Sequence, residues 1–121
     1  MSNLIKGFLI DPAKRKIRPV TFDNSSLDNI YKLIRAQCFD IATVSYDPRV
    51  TIFVDDNGVF FKNKFVFKHS GYAQPLCGYG LVTGTDESGE TVDAPCTLDG
   101  LYEDVRFGVN QREDAAWILD K

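Results

Sequence analysis

The sequence predicts an α+β fold: one mostly antiparallel sheet with a β-hairpin, then one packed helix, a run of short strands and a short C-terminal helix. Three observations favour this class. Apolar residues first alternate at strand period, then follow helical spacing once, then return in short β-branched runs between turn residues. Residues 1–121 form a single α+β domain, because the chain contains no repeat, low-complexity tract or linker.

The chain opens with a predicted β-hairpin. Residues 4–10 are an apolar run typical of a buried strand, and Asp11-Pro12 begins a turn. Residues 16–22 alternate and pair back on the first strand. Pro19 has no amide hydrogen to give to a ladder, which indicates an edge strand. Such an edge leaves pairing across a homo-oligomer open.

One amphipathic helix follows. Its apolar stripe recurs at helical spacing, at Leu27, Ile30, Tyr31, Ile34 and Cys38. Ser25 and Asp28 resemble a capping box at its start, and we expect it to end near Gln37. The stripe should pack against the apolar face of the sheet.

Most of the remaining chain is predicted to form short strands. Asn57-Gly58 is a hairpin signal, since both residues tolerate positive φ. The predicted strands lie at residues 41–46, 50–54, 59–61, 65–67, 81–85, 91–92 and 102–109. Residues 93–100 are predicted as a loop, and residues 113–119 as the short C-terminal helix.

Three glycines lie in or beside the predicted strand near residue 80. A glycine within a strand marks a bulge, a bend or a close approach to the backbone, by a ligand or by a neighbouring strand. At Gly78, Gly80 and Gly84, the sequence alone does not distinguish a ligand from a neighbouring strand. Their spacing is neither the dinucleotide fingerprint nor a P-loop.

Charge is unevenly distributed along the chain. Residues 1–85 carry 11 Lys/Arg against 7 Asp/Glu, and residues 86–121 carry 3 against 10. The split, with its basic cluster Lys14-Arg15-Lys16 and Arg18, predicts surfaces of opposite sign unless the two halves mix in space. A nucleic-acid partner is not expected, because the pI is near 5.0.

No cofactor and no metal are expected. His69 is the only histidine, and Cys38, Cys77 and Cys96 lie far apart, which favours reduced thiols. No stretch has the length of a membrane span or the pattern of a signal peptide, so we expect a cytoplasmic protein without a membrane partner.

Four segments carry a family resemblance: residues 5–12, 27–34, 54–58 with Asn63, and 78–84. In this order they resemble a family of uncharacterised small proteins, a domain of unknown function, encoded by bacteriophages and related mobile elements. The likeness covers residues 4–90. It implies a phage-borne accessory protein of the kind that acts on host machinery, including antiviral defence, and that step is an analogy.

We therefore expect a non-enzymatic protein that binds a host protein in the host cytoplasm and inhibits host machinery or antiviral defence. Aromatic and arginine side chains are the usual interface anchors. The candidates on loops and turns are Tyr72, Tyr79, Tyr102, Arg49 and Arg112.

The alternative is a protein that binds or sequesters a small molecule such as a nucleotide. Its site would use Gly78 and Gly80 with Tyr79, His69 and Arg49. A third hypothesis is an enzyme with Cys77 or His69 in its site. We assign no catalytic residue, because no third member of a triad is evident.

Overall fold

The computed structural model describes residues 3–36, 39–55, 65–111 and 114–118, with side chains as far as Gly108. The described chain confirms the predicted α+β class. Its elements, in order, are β1 (Leu4–Asp11), β2 (Lys16–Asp23), α1 (Asp28–Ile34), β3 (Phe39–Thr43), β4 (Val50–Asp55), β5 (Phe65–His69), β6 (Leu76–Cys77), β7 (Gly80–Thr85), β8 (Thr91–Val92), α2 (Leu98–Asp104), β9 (Val105–Gln111) and β10 (Asp114–Ile118).

The strands form two antiparallel sheets where the sequence predicted one. The large sheet has the order β2-β1-β7-β4-β3, and β8 pairs with β7. The small sheet has the order β10-β9-β5-β6. The opening hairpin is confirmed, with Asp11 opposite Lys16, and β2 is an edge strand as Pro19 indicated.

The core has two parts because the large sheet is covered on both faces. On one face, α1 buries Ile30 and Ile34 against Phe53 and Leu81. On the other face, Ile52 and Val82 belong to one cluster with Phe67 and Phe107 of the small sheet. Strands β4 and β7 are buried almost throughout, as expected for strands apolar on both faces. The molecule is therefore three layers: α1, the large sheet and the small sheet.

The prediction of a C-terminal helix at residues 113–119 is wrong. Residues 114–118 form β10, in which Trp117 lies opposite Gly108 of β9. The alanines of this segment favour a helix locally, but pairing with β9 overrides that weak preference.

The second helix lies where the sequence predicted a loop and the start of a strand. Helix α2 begins at Leu98, and the Oγ1 of its N-cap Thr97 accepts a hydrogen bond from the amide of Gly100 at 3.1 Å. A threonine cap followed by an acidic first turn is an ordinary helix start, and Asp99 supplies that charge. Strand β9 consequently begins at Val105, later than predicted.

Helix α1 is confirmed but shorter than expected. It begins without a side-chain cap at Leu27, and Ser26 Oγ, rather than Ser25, accepts the amide of Asp28 at 3.2 Å. It ends at Ile34, because Arg35 adopts a left-handed conformation with φ 55°. Both described helices have seven residues and are far too short to cross a membrane. The predicted helix end at Gln37 and the hairpin at Asn57-Gly58 lie outside the described residues.

Candidate functional site

A cation–π contact joins the end of α1 to the start of β7. The guanidinium carbon of Arg35 lies 4.9 Å from the centroid of the Tyr79 ring. Arg35 is exposed and Tyr79 is half-buried against the core beneath α1. The contact depends on two turns with positive φ, at Arg35 and at Gly78 (78°). Arg35 was not among the predicted binding residues.

Two further cations lie on the same face of the large sheet. Ile17 packs into the core between the sheets, so Lys16 and Arg18, its neighbours along β2, point to the opposite face, where α1 lies. Lys16 is opposite Asp11, and Ile10 is opposite Gly80. Lys16 is therefore two strands from Tyr79, a backbone separation of about 10 Å.

The hairpin tip adds two more cations beside this face. Asp11 Oδ1 accepts the amide of Lys14 at 3.3 Å, and Arg15 takes a left-handed conformation with φ 54°. All the cations of the tip are exposed. We call the following set the basic end of the large sheet: Lys14, Arg15, Lys16, Arg18, Arg35 and Tyr79.

Carboxylates gather at the opposite end of the same sheet. Strand β7 runs antiparallel to β1, so the turn after Thr85 lies beside the start of β1, where Leu4 is opposite Asp23. That turn is closed by Asp86 Oδ1, which accepts the amide of Glu90 at 2.9 Å. We call the following set the acidic end: Asp23, Asp47, Asp86, Glu87 and Glu90. The length of β1 separates the two ends by about 25 Å.

Charge is divided along this sheet, although the two parts of the sequence meet there: Asp23 and Asp47 of the first part lie at the acidic end, and Tyr102 of the second part contacts Ile17. The basic end comes from residues 14–35 with Tyr79, and the turn at residues 86–90 lies at the other end. The two ends of the sheet therefore differ in sign, and each alternative that the sequence left open describes part of the molecule.

Arg49 lies at the acidic end and not beside Tyr79. Its guanidinium forms a salt bridge with Asp47 at 3.0 Å, which raises the pKa of Arg49 and lowers the pKa of Asp47 through the same hydrogen bonds. It borders a groove of about 290 Å³ with Gly84, Val92 and Pro95. The expected ligand site uniting Arg49 with Tyr79 is therefore not assembled.

His69 is buried in the small sheet, with only 2% of its surface exposed. Its Nδ1 accepts the amide of Gly71 at 3.0 Å, and its ring stacks on Tyr46. Burial lowers the pKa of His69, and the charge of Asp104 opposes that shift. The imidazole is thus a neutral core group at neutral pH.

The residues considered for catalysis are apart from each other. Cys77 is opposite Val66, which is three residues along β5 from His69, so the two backbones are about 10 Å apart. The hydroxyl of Ser70 donates to Asp104 Oδ1 at 2.8 Å rather than to His69. This arrangement ties β5 to α2 and provides no nucleophile–base pair between these residues.

Tyr72 and Tyr102, which were predicted as interface residues, pack against the hydrophobic core in the described structure. Both are half-buried against the cluster between the two sheets. The hydroxyl of Tyr102 accepts the amide of Ile17 at 2.7 Å and donates to the carbonyl of Ile17 at 3.2 Å. Arg112 lies outside the described residues.

The close neighbour of Gly80 and Gly84 is the protein itself. A Cβ atom at Gly80 would lie 2.5 Å from the ring of Phe67, and one at Gly84 would lie 2.4 Å from the carbonyl oxygen of Asp93. Gly78 differs, because the space around it is open and its positive φ is what requires glycine.

Of the predicted site residues, Gly78, Tyr79 and Gly80 are neighbours in the chain, and the fold adds Arg35 to them. One sequence signal pointed to Arg35, namely a cation in the last turn of an amphipathic helix. Its meeting with Tyr79 joins residues far apart in the chain and depends on how α1 crosses the sheet.

Comparison with known protein families identifies the family of this chain. A family model described as Domain of unknown function (DUF3846) matches residues 5–104. The chain belongs to this family. No curated protein and no solved structure is similar enough to the chain to count as a match.

Proposed function

We propose that this member of the DUF3846 family is a non-enzymatic binding protein, encoded by a bacteriophage or a related mobile element, that acts on a host protein in the host cytoplasm. Inhibition of host machinery or of antiviral defence is the outcome we expect of that binding. The phage origin and the inhibitory role rest on analogy with accessory proteins of this kind. The binding role is supported by the charge separation along the large sheet.

The two ends of the sheet act as separate electrostatic surfaces. They are about 25 Å apart. Ions at physiological strength screen surface charges beyond about 8 Å, so neither end cancels the field of the other. A protein with such surfaces can steer an oppositely charged partner and orient it before contact.

The basic end also offers a suitable anchor. Aromatic and arginine side chains provide much of the energy at protein interfaces. The contact between Arg35 and Tyr79 holds a long exposed side chain in place before any partner arrives. Less conformational entropy is then lost on binding.

The test is to purify the tagged full chain from a bacterial host and to identify co-purifying proteins by mass spectrometry. A host protein present in stoichiometric amount, and recaptured when both proteins are purified separately, supports the proposal. Failure to recover any such protein across several hosts would count against it.

Nucleotide binding is the second candidate, because Tyr79 follows the open turn at Gly78 and carries a guanidinium over its ring. A nucleotide that binds the native state raises its thermal stability, by about 2.7 kcal/mol at a hundredfold excess over Kd. A thermal-shift screen of nucleotides with the wild type and with Arg35→Ala tests this directly. A screen without any shift removes the candidate.

A further inference from the structure

We infer that the basic end is a docking surface for an acidic segment of the partner protein, with Arg35 and Tyr79 at its centre. This inference rests on the proposed function and specifies the partner's chemistry. It predicts a partner whose contact region is rich in aspartate and glutamate.

The cations of this surface project from one side of the large sheet. Lys16 and Arg18 are two residues apart on β2 and share a face, so their backbones are about 7 Å apart. Arg35 is at the C-terminal end of α1 on that same face. An extended segment with carboxylates on alternate residues matches the spacing along β2, since residues i and i+2 of a strand share a side.

Carboxylates of the same end do not neutralise it. Asp11 and Asp55 flank Tyr79 in neighbouring strands, and Asp40 lies one strand further. Asp11 is turned into the hairpin, where it accepts the amide of Lys14. Against these three carboxylates stand the five cations of the basic end, Lys14, Arg15, Lys16, Arg18 and Arg35, which are all exposed. The acidic helix α2 contacts β2 at Ile17, on the face of the sheet away from Lys16 and Arg18. An excess of positive charge therefore remains for a partner.

The anchor residues favour a protein over a nucleic acid as the occupant. Arg35 covers one face of the half-buried Tyr79 ring, so the ring offers less surface for stacking on successive bases than an open aromatic side chain does. The whole chain carries a net charge of −3, which opposes the non-specific attraction on which nucleic-acid affinity depends.

The experiment is an NMR titration of the isotopically labelled full chain with a glutamate-rich peptide of about ten residues, in parallel with single-stranded DNA of equal charge. We expect the peptide to shift the backbone resonances of Lys16, Arg18, Arg35 and Tyr79, with an affinity that falls as salt rises. Stronger binding of the DNA would overturn the inference, and so would peptide shifts elsewhere or none at all.

Two double variants with the same net charge separate the surface from overall charge. Lys16→Glu with Arg18→Glu should weaken the peptide about tenfold. Lys68→Glu with Arg106→Glu should weaken it less than threefold, because these exposed cations, which are paired across β5 and β9, belong to the small sheet and not to the basic end. Equal losses would overturn the inference.

Failure of the inference can be told from failure of the proposed function. If a host protein is captured and binds the Lys16→Glu, Arg18→Glu variant as tightly as the wild type, the inference is wrong and the binding function stands. If no host protein is captured, the proposed function fails, and the peptide titration still decides whether the basic end recognises carboxylates.

Discussion

The hydroxyl of Tyr102 in α2 makes two hydrogen bonds to one residue of the edge strand, the amide and the carbonyl of Ile17. Those backbone groups point away from β1, so the phenol occupies the place that another strand would take. Backbone direction alternates along a strand, which places the ring nitrogen of Pro19 outward as well. The two successive outward positions of β2 are Ile17 and Pro19. Neither offers a free amide to another strand, because the phenol binds the first and proline has no amide hydrogen.

Replacing Tyr102 with phenylalanine removes both hydrogen bonds and leaves two half-buried backbone groups without this partner. We expect the free energy of unfolding to fall by about 1–3 kcal/mol. Tyr31→Phe is the matched control, because the Tyr31 ring keeps its contact with Phe39 at 5.5 Å. Urea denaturation of the three proteins measures the difference. Equal stability of Tyr102→Phe and Tyr31→Phe would contradict the assigned role.

Gly80→Ala tests the close packing of the two sheets. Its Cβ would lie 2.5 Å from the end of the Phe67 ring, and Phe67 is fully buried beside Phe107 in one core cluster. Since the ring has little room to withdraw, we expect a loss of about 1–3 kcal/mol by chemical denaturation. The near-ultraviolet circular dichroism should change as the aromatic packing shifts. A variant as stable as the wild type would show that the sheets can separate slightly at no cost.

Substitutions at Gly78 should destabilise the fold through backbone strain, and not through the collision expected at Gly80. The surroundings of Gly78 are open and its φ is 78°, so strain rather than collision penalises a substitution. We expect Gly78→Ala to cost about 1 kcal/mol. Gly78→Asn should cost less, since asparagine tolerates positive φ better than alanine. A lower melting temperature for Gly78→Asn than for Gly78→Ala would contradict this account.

Stability should depend on pH through His69. Burial lowers its pKa in the folded chain, so the unfolded chain takes up the proton first as pH falls below about 6.5. The free energy of unfolding is therefore highest above that pH. It should decline in more acid solution by at most about 1.4 kcal/mol per pH unit, until the folded chain is protonated too.

Chemical denaturation between pH 5 and pH 7.5 measures this slope. His69→Asn is the matched variant, because an asparagine oxygen can accept the amide of Gly71 in place of Nδ1 and does not titrate. Its stability should be nearly independent of pH in this interval, since the chain has one histidine. A wild type that shows no slope would mean that His69 is protonated equally in both states.

Local patterns predicted the elements that lie close together in sequence. The hairpin of β1 and β2, helix α1 and strand β7 follow from alternation, helical spacing and turn residues. The close approach at Gly80 was also visible, although its partner was not. Phe67 belongs to another sheet, and nothing near Gly80 in the sequence indicates it.

Long-range pairing determined the features that the sequence did not reveal. Residues 114–118 have no strong strand pattern, and their pairing with β9 creates β10. The separation of charge follows from the antiparallel register of β1 and β7, which places the turn at residues 86–90 at the far end from Lys14. The contact of Arg35 with Tyr79 likewise depends on where α1 ends above the sheet.

Thr83 and Thr51 face each other across β7 and β4, and they should respond in opposite ways to the same substitution. Thr83 is fully buried, and its Oγ1 has no hydrogen-bond partner among the described residues. Thr51 is also buried, but its hydroxyl shares a hydrogen bond of 2.7 Å with Thr85. Valine has nearly the shape of threonine and suits a strand as well.

Thr83→Val replaces an unpaired buried hydroxyl with a methyl group, so we expect the free energy of unfolding to rise by about 1 kcal/mol. Thr51→Val removes a hydrogen bond and leaves Thr85 without this partner, so we expect a loss of about 1 kcal/mol. Urea denaturation of both variants under one buffer condition gives the comparison. A destabilised Thr83→Val would indicate that its hydroxyl is satisfied in solution, and the opposite signs of the two changes would then not be observed.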